Sequence, residues 1–189
     1  MPVLFVRIPE DRVGVLIGPK GSTKRSIETE TRSAITIDPD EGEIRIAAPD
    51  TDPIAAMKAR DITLAIGRGF APERAQRLLK DDTYLGVINI KEVTGKREKA
   101  ALWRIRSRLI GEGGRARERI EELSGCSMSV YGGTVALIGQ ESQLERATRA
   151  VEMLLHGSEH SVVFHMLARL RDDVAFKSAS LPVEIDDVE

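Results

Sequence analysis

The stretch Gly18-Pro19-Lys20-Gly21 returns 93 positions later as Gly111-Glu112-Gly113-Gly114. A Leu-Ile pair precedes each copy, and a polar segment with helical spacing follows it. Two glycines three positions apart allow a backbone to turn sharply and to approach another backbone closely. A helix that begins after such a loop also directs unpaired backbone N–H groups at it, which favours a phosphate. The repeated motif therefore predicts two phosphate-binding loops.

The same order of predicted elements surrounds each copy. Alternating apolar residues predict strands, and apolar residues at helical spacing predict helices. The first half has predicted strands at 3–8, 34–38 and 43–47, and helices at 10–16, 22–32 and 53–67. The second half has predicted strands at 84–93, 127–131 and 134–139, and helices at 96–110, 115–123 and 142–155. A repeat of this length predicts two similar domains rather than a solenoid.

Two further segments lie outside the repeat. Residues 71–80 predict a short linker helix, because Pro72 suits a first helical turn. Residues 160–170 predict another helix, with Val163, Phe164 and Leu167 at helical spacing. We expect its apolar side to pack across both halves or to contact a partner. The final residues, 184–189, are mostly acidic and are expected to fray.

The order of elements around each Gly-x-x-Gly motif resembles the KH family of RNA-binding modules. In that family the loop clamps the backbone of about four nucleotides. The resemblance covers residues 3–68 and 86–156. It implies an α+β fold of two type I KH domains, each βααββα, packed together and followed by a C-terminal helix. The implied division is 1–70 and 84–157 for the domains, 71–83 for the linker helix, and 158–189 for the C-terminal helix and acidic tail.

The second copy is also similar to a narrower family. Tyr131-Gly132 is followed by the apolar run 134–139, as in the partner-of-Nob family of small-ribosomal-subunit assembly factors, which has archaeal and eukaryotic members. This resemblance implies binding to the 3′ region of small-subunit ribosomal RNA. It also implies protein partners, namely the maturation endonuclease or a translation initiation factor subunit.

Composition limits the other possibilities. With 41% hydrophobic and 31% charged residues among 189, the chain is expected to be globular and soluble. Its net charge of −2 means that any basic footprint must be local. A single cysteine, Cys126, excludes an intramolecular disulfide and is expected to be buried. We expect a cytoplasmic protein, since no apolar run approaches the ~20 residues of a membrane span and the first residues lack the features of a signal peptide.

Basic residues surround both loops. Lys20 lies within the first loop, and Lys24 and Arg25 lie on the helix after it, where cations suit a phosphate. Glu112 occupies the second loop and would repel a phosphate, but residues 96–119 hold nine basic against three acidic residues. Such a run is either a solvated helix face or an RNA-contacting surface. We favour RNA contact.

A KH groove also needs apolar walls near the loop. The resemblance places Ile17, Ile27, Ile35 and Ile37 there in the first half, and Ile110, Ile120, Met128 and Val130 in the second. The sequence does not separate this role from a role in the core. The sequence also leaves two roles for Trp103, which either stacks on a base or is buried in the core. The candidate RNA-binding residues are Gly18, Pro19, Lys20, Gly21, Lys24, Arg25, Ile27, Ile35, Arg104, Arg108, Gly111, Glu112, Gly113, Gly114, Arg115, Arg117 and Ile120.

Catalysis is not indicated. A nucleotide-hydrolysing P-loop needs its lysine after the second glycine, whereas Lys20 precedes Gly21. The three histidines lack a fitting set of partners for zinc. We therefore expect no cofactor and no metal, and a non-catalytic protein that binds single-stranded RNA. The alternatives are a general two-KH protein in RNA decay or translation, and a protein-interaction scaffold whose KH folds do not bind RNA.

Overall fold

The computed structural model describes residues 3–38, 42–49 and 52–179, with side chains up to residue 173. The predicted acidic end at 184–189 lies outside the described residues. Within the described part, helices combine with two three-stranded antiparallel sheets. The predicted fold class, two βααββα units in an α+β chain followed by a helix, is confirmed.

In the first half, three helices cover one face of a sheet with the strand order β1-β3-β2. The elements are β1 (Val3–Arg7), α1 (Glu10–Ile17), α2 (Ser22–Thr31), β2 (Ala34–Ile37), β3 (Glu43–Ala47) and α3 (Pro53–Gly67). Ile44 and Ile46 of β3 are buried against the helices, while Arg45 between them is exposed. This alternation along β3 decides which face of the sheet carries the core.

The second half repeats this plan, with the strand order β4-β6-β5. Its elements are β4 (Tyr84–Asn89), α5 (Ile90–Thr94), α6 (Lys99–Ile110), α7 (Arg115–Ser124), β5 (Ser127–Tyr131), β6 (Thr134–Gly139) and α8 (Glu141–Leu155).

Two predicted boundaries in the second half are wrong. The strand predicted to reach residue 93 ends at Asn89, and the short helix α5 follows it. The Asn89 side chain caps α5 by accepting a 3.1 Å hydrogen bond from the backbone N–H of Lys91. Gly95, with φ at 67°, ends α5, and the backbone is extended at Glu98 before α6 begins. The predicted helix 96–110 therefore starts only at Lys99.

The segment between the halves is packed rather than extended. It contains α4 (Pro72–Ala75) and a 3-10 turn (Gln76–Leu79). Ala75 and Leu78 are buried in the core of the first half. This linker is therefore packed as part of the first half.

Strand β6 joins the two halves because both of its faces are buried. Val135 and Leu137 belong to the core of the second half, whereas Ala136 and Ile138 belong to that of the first. Successive side chains of a strand point to opposite faces of a sheet. The first half is therefore docked on the outer face of the second sheet, and the two units are packed together as predicted.

Polar contacts reinforce this junction. Arg12 donates hydrogen bonds to the carbonyl oxygens of Ile66 (2.8 Å) and Phe70 (2.7 Å), and its guanidinium lies 5.6 Å from the ring centroid of Tyr131. The Tyr131 hydroxyl donates to the Asp11 carboxylate, which raises the pKa of Tyr131 above its usual value. Further hydrogen bonds link Arg74 to Glu121, Arg77 to Ser127, and Ser129 to the carbonyl of Arg68.

The C-terminal helix α9 (His160–Ala179) packs against α7 and α8. Val163 and Leu167 are buried in the core of the second half. Gly157, with φ at 98°, reverses the chain directly after α8 and so returns α9 to its own domain. The expectation that its apolar side packs across both halves is wrong.

Candidate nucleic-acid interface

The two Gly-x-x-Gly loops share one backbone conformation. The first positions, Gly18 and Gly111, have φ/ψ values of 70°/175° and 75°/174°. The third positions, Lys20 and Gly113, are both left-handed, at 52°/29° and 59°/19°. In each loop the fourth N–H donates to the first carbonyl oxygen, at 3.1 Å and 3.2 Å. The sequence repeat is thus a repeat of geometry.

The first loop position admits only glycine. A Cβ on Gly18 would lie 2.8 Å from the backbone nitrogen of Thr23, and one on Gly111 would lie 2.8 Å from that of Ala116. By contrast, nothing lies within 4 Å of the corresponding point at Gly21. The loop is therefore pressed against its following helix on one side and open on the other. The open side leaves room for another backbone.

Lys20 occupies a conformation that suits glycine better. A non-glycine residue in the left-handed region costs about 1–2 kcal/mol. Lys20 and Arg32 are the two non-glycine residues with positive φ in the described part of the chain. The Lys20 side chain is exposed and makes no ion pair with a described residue. The first loop thus keeps a cation at the cost of backbone strain, a combination common at functional sites.

The neighbouring cations in the first half are partly engaged. Arg25 donates a 2.7 Å hydrogen bond to the carbonyl oxygen of Lys20 and so stabilises the conformation of the loop. Lys24 lies 3.6 Å from the Glu28 carboxylate, one helical turn further on. All three predicted cations, Lys20, Lys24 and Arg25, therefore lie in or directly beside the loop.

Sequence reasoning missed a pair of carboxylates that position the strand beside each loop. Glu28 accepts a 2.8 Å hydrogen bond from the backbone N–H of Ile35, and Glu121 accepts one of 2.6 Å from Met128. Each bond joins the helix after the loop to the first residues of the next strand. A detectable signal existed, since Glu28 directly follows Ile27 and Glu121 directly follows the equivalent Ile120.

In the second loop the charges are arranged differently. Glu112 is exposed at the loop itself. Arg115 makes no hydrogen bond or ion pair through its side chain within the described residues, so its charge is available. Arg117 lies 4.0 Å from Glu121, and Arg119 lies 2.6 Å from Glu122. The cation next to this loop is thus Arg115, whereas the first loop carries its cation internally.

Arg104 and Arg108 of α6 line a cavity that is separate from the groove beside the second loop. Arg108 donates hydrogen bonds to the carbonyl oxygens of Gly157 (3.0 Å) and Ser158, so it holds the end of α8. Its Nη2 is therefore used inside the fold, and its role in RNA binding stays a prediction. Arg104 makes a 3.4 Å bond within its own helix and lines a separate cavity of about 1000 Å³ with Lys96 and Arg97.

Three apolar residues predicted to contact RNA belong to the core. Ile27, Ile35 and Ile120 are at most 2% exposed. They are too deep to touch a base, because the helix and strand that carry them close over their side chains. Their role is to support the loop and the adjacent strand.

The apolar surface beside the second loop is a groove of about 300 Å³ built by both halves. Its lining residues are Gly69, Phe70, Ala71, Arg74, Ile110, Arg117, Met128, Ser129 and Val130. Ile110 and Val130 are half-buried and supply accessible apolar area. The docking of the two halves thus completes one wall of this groove.

Trp103 is 67% exposed, so the alternative that it lies in the core is wrong. It belongs to one face of α6, with Lys99, Arg106 and Ile110 at helical spacing. Ile110 lies in the groove beside the second loop, so this face continues the groove along α6. We name it the α6 stripe.

Within the described residues, no group of three metal-ligating side chains is close enough to hold an ion. No helix among these residues is both long and apolar enough to cross a membrane. Cys126 is buried, and this burial raises the pKa of its thiol to about 11, so it remains protonated and unreactive.

Known proteins and family models match along most of the chain. A model described as the eukaryotic-type KH domain (KH-domain type I) matches residues 84–172, and the KH domain model matches residues 3–60. A KH domain-containing protein of Methanocaldococcus jannaschii is 44% identical over 172 residues, covering 90% of this chain and 74% of that protein.

Solved structures agree with these matches. Dim2p of Pyrococcus horikoshii has a TM-score of 0.84 at 50% identity, over 89% of this chain and 99% of its own. Dim2p in the a/eIF2α–aDim2p–rRNA complex of the same organism has a TM-score of 0.85 at 50% identity, over 91% and 95%. A protein of unknown function from Aeropyrum pernix has a TM-score of 0.89 at 36% identity, over 94% and 95%.

Two βααββα units with matching Gly-x-x-Gly loops define a tandem type I KH protein, a class of RNA-binding proteins. The match to the Methanocaldococcus protein and to Dim2p extends over both units and the helix that follows them. The chain belongs to the partner-of-Nob family, which includes the archaeal Dim2p proteins.

Proposed function

We propose that this protein binds single-stranded RNA through both Gly-x-x-Gly loops, without catalysis. The observation that carries this proposal is the pair of loops with matching dihedral angles, each with one open side. An open loop beside a helix start and a cation suits a phosphate. The proposed contacts are Gly18, Pro19, Lys20, Gly21, Lys24 and Arg25 in the first half, and Gly111, Glu112, Gly113, Gly114, Arg115 and Arg117 in the second.

The RNA that we propose is the 3′ region of small-subunit ribosomal RNA during ribosome assembly. Support comes from the Pyrococcus relative, which was solved in a complex with rRNA and a/eIF2α. The corresponding initiation factor subunit is therefore the protein partner we favour, with the maturation endonuclease as the second. We place the domain boundaries at 70/71 and 83/84, on either side of the packed linker.

A charge test separates the loops from the rest of the surface. We replace Pro19 and Lys20 with Asp in one variant and with Asn in its matched control. Asp and Asn have similar shape and both tolerate the left-handed backbone, so the difference reports charge alone. We expect the Asp pair to bind single-stranded RNA about tenfold more weakly than the Asn pair, because a carboxylate faces a phosphate there.

The same comparison at Glu112 and Gly113 tests the second loop, and unfolding midpoints within each Asp/Asn pair should agree. Equal affinities for Asp and Asn variants at both loops would show that neither loop contacts phosphate, and would favour a protein-interaction scaffold. Crosslinking in cells followed by sequencing identifies the RNA. Enrichment of messenger RNA instead of small-subunit rRNA would favour the general two-KH protein.

A further inference from the structure

The second loop borders an apolar cavity of about 490 Å³ that is separate from the groove described above. It lies between the start of α7 and the start of α9, and it is lined by Gly111, Glu112, Arg115, Ala116, Arg119, His160 and Phe164. Because the loop residues Gly111 and Glu112 form one edge, anything held by the loop lies next to this cavity. We call it the flanking pocket.

Helical geometry places the flanking pocket and the groove on different sides of the loop. Arg115 and Arg119 are four residues apart and share one face of α7, while Arg117 points to the groove. An RNA strand held by the second loop therefore meets the groove on one side of the loop and the flanking pocket on the other. Arg115 has no partner among the described residues and stands at the rim.

Two aromatic rings line the flanking pocket. The rings of His160 and Phe164 lie 5.8 Å apart with an interplanar angle of 42°. His160 Nε2 donates a 2.9 Å hydrogen bond to the carbonyl oxygen of Arg108, so the ring is held in place just before the loop. Phe164 is half-buried, with the rest of its side chain against the core. A fixed ring with an accessible face is a stacking surface for a base.

The first half serves as an internal comparison. There the linker takes the place of α9, and Gln76 donates a 3.0 Å hydrogen bond to Ser26 on the corresponding face of α2. Gln76 and Ser26 are both polar and uncharged. Among the described residues, the first half thus has a polar contact where the second half has aromatic rings and arginines.

We propose that the flanking pocket receives one nucleobase of single-stranded RNA, from the nucleotide adjacent to those clamped by the second loop. The base stacks on Phe164, and Arg115 and Arg119 face its phosphate. The continuity with the loop and the unpaired Arg115 favour this occupant over an apolar peptide, because a guanidinium at the rim matches a phosphodiester. Arg119 is paired with Glu122, so its guanidinium has to be shared with the phosphate. This proposal rests on the proposed function of the second loop.

An abasic scan tests it with the full chain. The probe is an RNA of about 12 nucleotides, long enough to span two four-nucleotide clamps, selected from a random pool for tight binding. Each base is removed in turn, and affinities are measured for the wild type, Phe164→Leu and Phe164→Tyr. At one position outside the clamp, we expect base removal to weaken wild-type and Phe164→Tyr binding about fivefold or more. In Phe164→Leu the same removal should have almost no effect.

Two further variants make the result decisive. If the Asp pair at Glu112 and Gly113 weakens binding but no position couples to Phe164, the loop function stands and the flanking-pocket proposal is overturned. If the Asp pair has no effect, the proposed function of that loop fails, and this proposal fails with it. Arg115→Gln with Arg119→Gln leaves the core untouched, so it covers the case of an unstable Phe164→Leu. It must weaken binding of the long RNA more than that of an RNA truncated at the position where base removal outside the clamp weakens wild-type binding, and equal losses would also overturn the proposal.

Discussion

At the scale of single residues, Lys20 and Arg32 are informative because the second half has glycine at both equivalent positions. Both have left-handed backbone, with φ at 52° and 51°. Gly113 and Gly125 adopt the same conformation without strain. A glycine would therefore satisfy the fold at Lys20, and the presence of a cation there points to a role other than folding.

We predict that Lys20→Gly raises stability and lowers RNA affinity at the same time. Removing the left-handed strain gains about 1–2 kcal/mol, from which the greater freedom of glycine in the unfolded chain subtracts about 0.4–1 kcal/mol. Chemical denaturation and RNA titration measure the two effects. Arg32→Gly is the matched control, with the same backbone gain and no loss of affinity. Equal affinities of the two variants would remove Lys20 from the binding surface.

At the scale of residues, the sequence predicts the loops correctly because a motif fixes their backbone. It does not predict how deeply individual side chains are buried. The two loops follow from glycine spacing alone. The depth of Ile27, Ile35 and Ile120 depends on how tightly a helix and a strand close over them, and Glu28 has the pattern of a surface charge. These properties arise from contacts between elements, which a local pattern does not contain.

At the scale of elements, α6 presents two different surfaces. One is the α6 stripe, with Lys99, Trp103, Arg106 and Ile110, which leads into the groove. The other lines the separate cavity with Arg97 from the preceding loop and with Arg104. The sequence showed only that this region is basic. The structure of α6 shows on which surface each basic residue lies, and only one of these surfaces continues the groove.

We predict that the α6 stripe adds to the salt dependence of RNA binding that the loop cations provide. Replacing Lys99 and Arg106 with Gln should reduce the slope of log affinity against log salt by about 1.4, since each lost phosphate contact contributes ~0.7 on a single strand. Arg97→Gln with Arg104→Gln removes the same charge from the other surface and should leave the slope nearly unchanged. Titrations at several salt concentrations measure both pairs. A larger change in the second pair would place the RNA in the other cavity.

Prediction at the element scale depended on the signals at element ends. Strand β4 was extended too far because Ile90 and Val93 continue its apolar pattern, while the cap at Asn89 that starts α5 is a single hydrogen bond. The C-terminal helix was predicted, but its packing partner was not. The apolar face of the helix predicts only that this face is buried. The chain reversal at Gly157 determines which domain the helix packs against.

At the scale of the whole molecule, docking of the two halves turns two small modules into one rigid surface. A signal for this lies in β6, whose residues 134–139 have no alternation of apolar and charged side chains. Such a strand is buried on both faces, and a lone KH module has no second layer to bury it. The groove beside the second loop depends on the same docking, because Gly69, Phe70 and Ala71 come from the first half.

We predict that Gly69→Ala loosens this docking and weakens RNA binding. A Cβ at Gly69 would lie 2.7 Å from Ser129 Oγ and 2.8 Å from Tyr131 Cβ, so the second sheet must move away. Gly95→Ala is the matched control, because Gly95 also has positive φ but nothing lies within 4 Å of its Cβ position. Gly95→Ala should lose about 1–2 kcal/mol of unfolding free energy through backbone strain, and Gly69→Ala should lose more because its Cβ also displaces the second sheet. Only Gly69→Ala should also show weaker binding and separate tumbling of the two halves by NMR relaxation. If both variants bind RNA and tumble alike, the junction around Gly69 does not shape the groove.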